Sequence, residues 1–196
     1  MSRALAAHGA QVVDADEAAR GALAAGSAGA EAVRARFEDV VRSDGSVDRA
    51  GLAALVFADP HARADLEAIV HPVVDRIVAA AVDTWRRSSG VVGIVDSPLL
   101  VETHGRERYG LDALIVVDAP EDVLVERLVR WRSMYAEDAR ARIAAQASRA
   151  ERVRAADFVI PNVGSLGELA QMADEAWRFV ESLRRDDDRG GELAGG

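Results

Sequence analysis

The chain of 196 residues is 49% hydrophobic and 29% charged, which is typical of a soluble globular protein. Its net charge of −9 argues against a general nucleic-acid or anionic-membrane binder, since both need a basic surface. The absence of cysteine excludes disulfides and thiolate chemistry, and no apolar run reaches membrane-spanning length, so composition predicts a cytoplasmic protein.

The first predicted elements are a short helix that ends at Gly9 and a buried strand over residues 10–13. Two carboxylates, Asp14 and Asp16, follow this strand, and a second helix extends from there to about Leu23. A strand that ends in carboxylates is common in nucleotide-binding α/β proteins.

Residues 26–85 are almost entirely helical in pattern, which is more than a minimal crossover between two strands requires. Asp59-Pro60 has the form of a helix start, because Asp caps helices well and Pro suits the first helical position. His71-Pro72 predicts an interruption of the helix that follows. We therefore interpret this stretch as a helical insertion or subdomain.

Three further strands are predicted, and each lies beside a helix. They cover Val91–Val95, Leu114–Val117 and the segment ADFVIPN at 156–162. Strands that are apolar on both faces and alternate with helices indicate a parallel sheet covered on both sides. The sequence thus predicts a three-layer α/β domain over residues 1–185 and a disordered, charged tail over 186–196.

Several carboxylates stand at the predicted carboxyl ends of the strands, namely Asp14, Asp16, Asp96 and Asp118. Ligands of open α/β sheets bind at this edge, although an aspartate there can simply cap the next helix. Capping suits Asp118 best, since Pro120 and Glu121 follow closely. The pair Asp14 and Asp16 is harder to explain in this way, because one cap does not need two carboxylates.

Arginines cluster in the region after residue 121. They are Arg127, Arg130, Arg132, Arg140, Arg142, Arg149, Arg152 and Arg154. Guanidinium groups suit phosphate oxygens, and arginine-rich helical pairs cover the donor in many phosphoryl-transfer enzymes. The alternative is a solvated helix pair balanced by neighbouring glutamates and aspartates.

Seven linked motifs resemble the dephospho-CoA kinase family, in the family's order and spacing. They are GAQVVDADEAAR (9–20), DGSVDRAGLAALVFADP (44–60), LEAIVHPVV (66–74), VDSPLLVE (95–102), LIVVDAP (114–120), ARIAAQAS (141–148) and ADFVIPNVGSL (156–166). The resemblance covers Ser2 to about Leu183 and implies a P-loop kinase fold. The implied activity is transfer of the ATP γ-phosphate to the ribose 3′-hydroxyl of dephospho-CoA, with Mg²⁺ accompanying ATP.

The resemblance also implies roles for individual residues. Asp16 would be the catalytic base that accepts the hydroxyl proton. The helical part at 26–85 would bind dephospho-CoA, and residues 121–155 would contain a lid. The acceptor-binding residues would be Asp14, His71, Pro98, Leu99, Leu100 and Glu102. The nucleotide and lid residues would be Arg127, Arg130, Arg132, Arg149, Arg152, Asn162 and Gly164, and no protein side chain is expected to be a metal ligand.

The chain departs from the family pattern in two places. The family's first strand and its phosphate loop are expected before the helix at Ser2, but neither they nor any lysine occur in the 196 residues. We therefore expect these residues alone to be inactive, with a truncated relic that binds CoA-like ligands, or another small-molecule P-loop kinase, as alternatives. In the lid, Trp131 and Ser133 stand where the family usually has Arg and Gly.

Overall fold

The computed structural model describes the backbone of residues 1–42 and 44–193. The helices are α1 (Ser2–Ala7), α2 (Ala15–Ala22), α3 (Ala28–Arg36), α4 (Arg49–Ala58), α5 (Pro60–Arg86), α6 (Gly105–Tyr109), α7 (Glu121–Arg132), α8 (Ala136–Ala144), α9 (Arg149–Ala155) and α10 (Leu166–Leu193). The strands are β1 (Gln11–Asp14), β2 (Gly93–Asp96), β3 (Ile115–Asp118) and β4 (Phe158–Pro161). A single 3₁₀ turn covers Glu38–Val40 within the described residues.

Each of the four predicted strands is present, and each lies within two residues of its predicted start and end. The hydrogen-bonded neighbours are β1 with β2 and β3 with β4. Strands β3 and β4 are parallel, with Ile115 paired to Phe158 and Asp118 paired to Pro161. This pairing confirms the predicted α/β class with parallel strands.

The chain divides into two compact units. The helical unit comprises residues 12–97, and the terminal unit comprises residues 1–11 together with the chain from Pro98 onward. The predicted helical part at 26–85 lies wholly inside the helical unit, where α3, α4 and α5 occupy most of it. The sequence predicts one domain over residues 1–185 and does not indicate this division into two compact units.

The helical unit is built around α5, which packs against α2, α3 and α4. Its buried core consists of Ala30, Val33, Phe37, Val40, Val47, Leu52 and Ala62. Side-chain caps start these helices: Ser27 accepts from the Ala30 N–H, and Asp59 accepts from the His61 N–H. Since each cap satisfies a backbone donor that the helix leaves free, the helix starts follow directly from the sequence.

Helix α5 continues through Pro72, so the predicted interruption at His71-Pro72 is wrong. A proline inside a helix removes one backbone hydrogen bond and crowds the preceding turn. Here the helix continues for 27 residues, and three neighbouring helices pack along it. The Arg76 Nε–H also donates to the Pro72 carbonyl oxygen (3.2 Å). The apolar packing on α5 outweighs the local cost of the proline.

In the terminal unit, α10 packs against β4 and α1, while α9 packs against β3. His8 joins α1 to α10, because its Nε2 lies 2.9 Å from Asp174 Oδ1 and its ring stacks on Trp177. The backbone of α10 extends to Leu193. The disordered tail expected over 186–196 stays a prediction, and its residues 194–196 lie outside the described part of the chain. No helix among the described residues has the length and apolarity needed to cross a membrane.

Candidate functional site

Asp14 and Asp16 occupy different positions at the start of α2. Asp14 is the N-cap, and its Oδ1 accepts a hydrogen bond from the Glu17 N–H (2.9 Å). Asp16 lies in the first helical turn, where it is exposed. A single cap therefore accounts for Asp14, while the carboxylate of Asp16 stays accessible beside the positive end of the helix.

The remaining acceptor residue of the helical unit is His71, which is exposed on the middle of α5. The other four predicted acceptor residues belong to the loop that opens the terminal unit. In this loop Pro98 is exposed and Leu99 is 40% exposed, whereas Leu100 is 9% exposed. Leu100 is thus a packing residue that fixes the loop, and the structure leaves the two preceding residues accessible.

Leu100 packs directly over Gly105, the first residue of α6. A Cβ atom added to Gly105 would lie 2.4 Å from Leu100 Cδ1, which is closer than side chains approach. The Gly105 N–H also donates to the Leu100 carbonyl oxygen (2.8 Å). A glycine is therefore required at position 105 for this close approach. The packing of Leu100 on Gly105 and their hydrogen bond hold the loop against the start of α6.

Glu102 ends the loop and contacts the turn between α8 and α9. Its Oε1 accepts a hydrogen bond from the Ala147 N–H (2.6 Å). Its Oε2 is buried and has no hydrogen-bond partner among the described residues. This contact joins two segments that are 45 residues apart in sequence.

Three of the predicted nucleotide residues meet in the terminal unit. Arg127 on α7 donates from Nη1 to the Asn162 carbonyl oxygen (2.7 Å) and from Nη2 to that of Gly164 (3.4 Å). Its guanidinium carbon lies 5.7 Å from the centre of the Trp131 ring, at the distance of a cation–π contact. Arg130 and Arg132 are exposed on the same helix.

Asp118 is the only buried charged side chain in the described part of the chain, with 7% of its surface exposed. The guanidinium of Arg149, the first residue of α9, donates hydrogen bonds to the Asp118 carboxylate. Its Nε lies 2.9 Å from both carboxylate oxygens, and its Nη2 lies 2.6 Å from Oδ2. These hydrogen bonds hold the pKa of Asp118 below its ordinary value of 3.8, despite the opposing effect of burial. The same pairing raises the pKa of Arg149.

The prediction that Asp118 caps α7 is therefore wrong. The N-cap of α7 is Pro120, which has no capping side chain, and Asp118 instead ties β3 to α9. A buried carboxylate that meets a bidentate guanidinium is held by several charge-assisted hydrogen bonds, whereas a cap would supply one. Nothing in the sequence adjacent to Asp118 reveals a partner 31 residues away.

The turn at residues 145–148 between α8 and α9 is a further feature that sequence reasoning missed. Arg152 Nη1 donates to the Ala147 carbonyl oxygen. Ser148 and Glu151 form a capping box, in which Ser148 N–H donates to Glu151 Oε2 (2.8 Å) and Glu151 N–H donates to Ser148 Oγ (3.2 Å). The pattern Ser-x-x-Glu at 148–151 is a sequence signal that could have located this helix start.

The described residues contain no group of three or more His, Cys, Asp or Glu side chains that could hold a metal ion. A Mg²⁺ site built from three or more such side chains is therefore absent from the described part of the chain.

The family profile for dephospho-CoA kinase matches residues 1–168. A dephospho-CoA kinase of Frankia casuarinae is 41% identical over 189 residues, covering 94% of this chain and 79% of the relative. One from Streptomyces avermitilis is 44% identical over 178 residues, covering 90% of this chain and 85% of the relative.

Two solved structures are also similar. The crystal structure of TT1252 from Thermus thermophilus has a TM-score of 0.73 at 31% identity, over 89% of this chain and 86% of that one. A dephospho-CoA kinase from Campylobacter jejuni has the same fold, with a TM-score of 0.62 at 20% identity over 92% of this chain and 88% of that one. The parallel β3–β4 pair, the seven ordered motifs and these matches agree, and the chain belongs to the dephospho-CoA kinase family.

Proposed function

We propose that the protein phosphorylates the ribose 3′-hydroxyl of dephospho-CoA with ATP, giving coenzyme A and ADP. The observation that carries this proposal is the family match over residues 1–168, which includes every predicted site residue. Mg²⁺ would be bound by the phosphate oxygens of ATP and would stabilise negative charge on the transferred phosphoryl group. A cytoplasmic location and the absence of nucleic-acid partners stay predictions from composition.

In the proposed reaction, Asp16 is the general base. Its carboxylate would accept the proton of the 3′-hydroxyl while that oxygen attacks the γ-phosphorus, and the bond between the γ-phosphorus and the β–γ bridging oxygen would break to release ADP. Support for this role comes from the different environments of the two carboxylates at the start of α2. Asp14 accepts the capping hydrogen bond, whereas Asp16 is exposed. A base must be free to reach the reacting oxygen, which suits Asp16 better than Asp14.

Acceptor-binding roles are proposed for residues of the helical unit and, separately, for residues of the loop at 98–102 in the terminal unit. Asp14, by capping α2, would fix the position of Asp16, while His71 offers an exposed imidazole on α5. In the loop, the exposed Pro98 and Leu99 would contact the ligand and Leu100 would hold the loop in place.

On the donor side, Arg127 would fix the segment Asn162–Gly164 beside the adenine. The two hydrogen bonds from its guanidinium to that segment support this role. Arg130 and Arg132 would be free to reach phosphates, since both are exposed. Arg149 and Arg152 would shape the lid through Asp118 and Ala147.

We further propose that these 196 residues alone do not turn over ATP, because they contain neither a lysine nor a Gly-x-x-x-x-Gly-Lys-Ser/Thr phosphate loop. Titration calorimetry should therefore detect binding of dephospho-CoA but not of ATP, and mass spectrometry should detect no coenzyme A. Turnover by the chain as it stands would contradict the inactivity and support the kinase function. Absence of dephospho-CoA binding would contradict the acceptor assignment, and binding of a different small acceptor would favour another P-loop kinase.

The role of Asp16 is tested by Asp16→Asn. Removing a general base lowers turnover by about 10²- to 10⁴-fold. The measurement is coenzyme A formation, by the 196-residue chain if it is active and otherwise by that chain fused behind a strand and phosphate loop. Asp39→Asn, an exposed carboxylate in the 3₁₀ turn, is the matched control and should leave turnover unchanged. Equal turnover in both variants would remove Asp16 from the mechanism.

A further inference from the structure

The contact between Glu102 and Ala147 joins two regions that the proposed function treats separately. Glu102 ends the loop expected to contact dephospho-CoA, and Ala147 lies in the turn between α8 and α9 at the base of the lid. A carboxylate that accepts from a backbone N–H makes a charge-assisted hydrogen bond, which is stronger than one between neutral groups. The 2.6 Å separation of Glu102 Oε1 and the Ala147 nitrogen fits such a bond.

On the lid side, both backbone groups of Ala147 are held by side chains. Glu102 accepts from its N–H, and Arg152 donates to its carbonyl oxygen. The next residues are fixed by the Ser148–Glu151 capping box, and Arg149 is locked to Asp118. On its α9 side, the turn is therefore attached to β3 through Arg149 and Asp118. The hydrogen bond from Ala147 to Glu102 attaches the same turn to the acceptor loop.

On the acceptor side, the loop is equally constrained. The Thr103 N–H donates to the Leu99 carbonyl oxygen (3.0 Å), and Leu100 is fixed over Gly105 by packing and by a 2.8 Å hydrogen bond. These two contacts brace the loop, and Glu102 lies within the braced segment, three residues after the exposed Leu99.

From these contacts we propose that Glu102 is a positioning residue that couples the acceptor loop at 98–102 to the lid turn at 145–148. In this role it acts through its hydrogen bond to the Ala147 N–H. The proposal rests on the proposed function for the identity of the acceptor. It predicts that dephospho-CoA binding changes the protection of the lid turn from solvent, and that this change is transmitted by the hydrogen bond to Ala147.

The two oxygens of Glu102 provide a sharp choice of variants. Glu102→Gln keeps an acceptor for the Ala147 N–H and replaces the unpartnered Oε2 by an amide nitrogen, while Glu102→Ala removes the acceptor. Glu107→Ala, which removes an exposed glutamate from α6 in the same unit, is the matched control. Hydrogen exchange of peptides covering residues 145–148 is measured in each protein with and without dephospho-CoA, and calorimetry measures binding.

In the free protein, Glu102→Ala should speed exchange of the Ala147 amide by about fivefold or more, since a hydrogen bond of this kind contributes at least ~1 kcal/mol. Exchange in the Gln variant should lie between those of the unmodified protein and the Ala variant, because a neutral amide oxygen still accepts but more weakly than a carboxylate. The Glu107→Ala control should match the unmodified protein. On adding dephospho-CoA, exchange at 145–148 should change in the unmodified protein and in the Gln variant. It should stay constant in the Ala variant, even where calorimetry shows that the ligand is bound.

Other outcomes separate this proposal from the proposed function. If all variants bind dephospho-CoA and the lid turn responds equally in each, the coupling is overturned while the acceptor assignment stands. If Gln behaves as Ala, the charge of Glu102 matters and not its hydrogen bond, which also overturns the proposal. If the unmodified protein does not bind dephospho-CoA, the acceptor assignment and the coupling both fail. In that case, faster exchange of the Ala147 amide in the free Glu102→Ala variant would still establish that Glu102 holds the lid turn through this hydrogen bond. Unchanged exchange would show that the hydrogen bond does not hold the turn. An Ala variant that does not fold leaves the Gln comparison, in which loss of the ligand response counts against the proposal.

Discussion

The helical unit and the terminal unit are held together in different ways. The core of the helical unit is apolar, and its ion pairs, such as Arg36–Asp65 and Arg42–Asp48, lie at the surface. In the terminal unit a buried carboxylate, Asp118, bridges β3 and α9. Surface pairs contribute little to stability, whereas a buried charge is costly unless it stays paired. We infer that apolar packing stabilises both units, since Ile160 is fully buried in the terminal unit, and that the terminal unit also uses a buried, paired carboxylate to position α9 on β3.

The difference corresponds to what each unit is proposed to do. A helical acceptor platform needs a stable shape, which close packing provides without directional contacts. A lid needs a defined attachment point at the sheet, and charge-assisted hydrogen bonds supply direction as well as energy. Variants that alter one kind of contact at a time can confirm or contradict this division.

The largest effect is expected from Phe37→Ala in the helical unit. Phe37 is 5% exposed within the core cluster, and removing a buried phenylalanine ring costs about 3–5 kcal/mol of unfolding free energy. Phe57→Ala is the matched control, because Phe57 on α4 is 86% exposed. Chemical denaturation followed by circular dichroism should show a large loss for Phe37 and almost none for Phe57. Similar losses in the two variants would contradict a packing-based helical unit.

The second prediction concerns Asp118→Asn in the terminal unit. The amide cannot accept the bidentate guanidinium of Arg149 as a carboxylate does, so unfolding free energy should fall by about 1–3 kcal/mol. Asp112→Asn, an exposed aspartate in the same unit, is the control and should be nearly neutral. Hydrogen exchange should locate the loss in β3 and α9, and a loss confined to α3–α5 would contradict the assignment.

The third prediction follows from the lowered pKa of Asp118. Because the folded protein binds this proton more weakly than the unfolded chain, the stabilisation is fully present above the ordinary value of 3.8. It is lost as the pH falls below that value and through the lowered pKa of the folded state. The difference in unfolding free energy between the unmodified protein and Asp118→Asn should therefore be constant near neutral pH and shrink below about pH 4. A difference that grows on acidification would have the wrong sign.

These contacts also explain how much of the molecule could be predicted from its sequence. The four strands and the helix start at Asp59 depend on local patterns, and the structure places them as the sequence indicates. Helix α5 continues through Pro72 because distant helices pack on it, which a local signal cannot show. The pairing of Asp118 with Arg149, and of Glu102 with Ala147, depends on the return of the chain after many residues.

The candidate site divides in the same way. The family resemblance implied nucleotide or lid roles for Arg127, Asn162 and Gly164, and the hydrogen bonds from Arg127 bring the three together. Their spacing could not show that Arg127 contacts two carbonyl oxygens instead of leaving its guanidinium free. Leu100 likewise belongs to the motif that identified the loop, but its burial beneath that loop is visible only in three dimensions. Local patterns located the segments, and packing decided which side chains stay accessible.

The smallest effect is expected at Ser133, where α7 ends. Ser133 has φ +53°, a left-handed conformation that costs side-chain-bearing residues more than glycine. Ser133→Gly should therefore raise unfolding free energy by about 0.5 kcal/mol, after allowing for the greater freedom of glycine in the unfolded chain. Ser148→Gly is a control of opposite sign, because Ser148 has φ −57° and caps α9, and its loss should cost a few tenths of a kcal/mol. Thermal unfolding of the two variants should shift in opposite directions, and destabilisation by Ser133→Gly would show that the serine makes a favourable contact at the helix end.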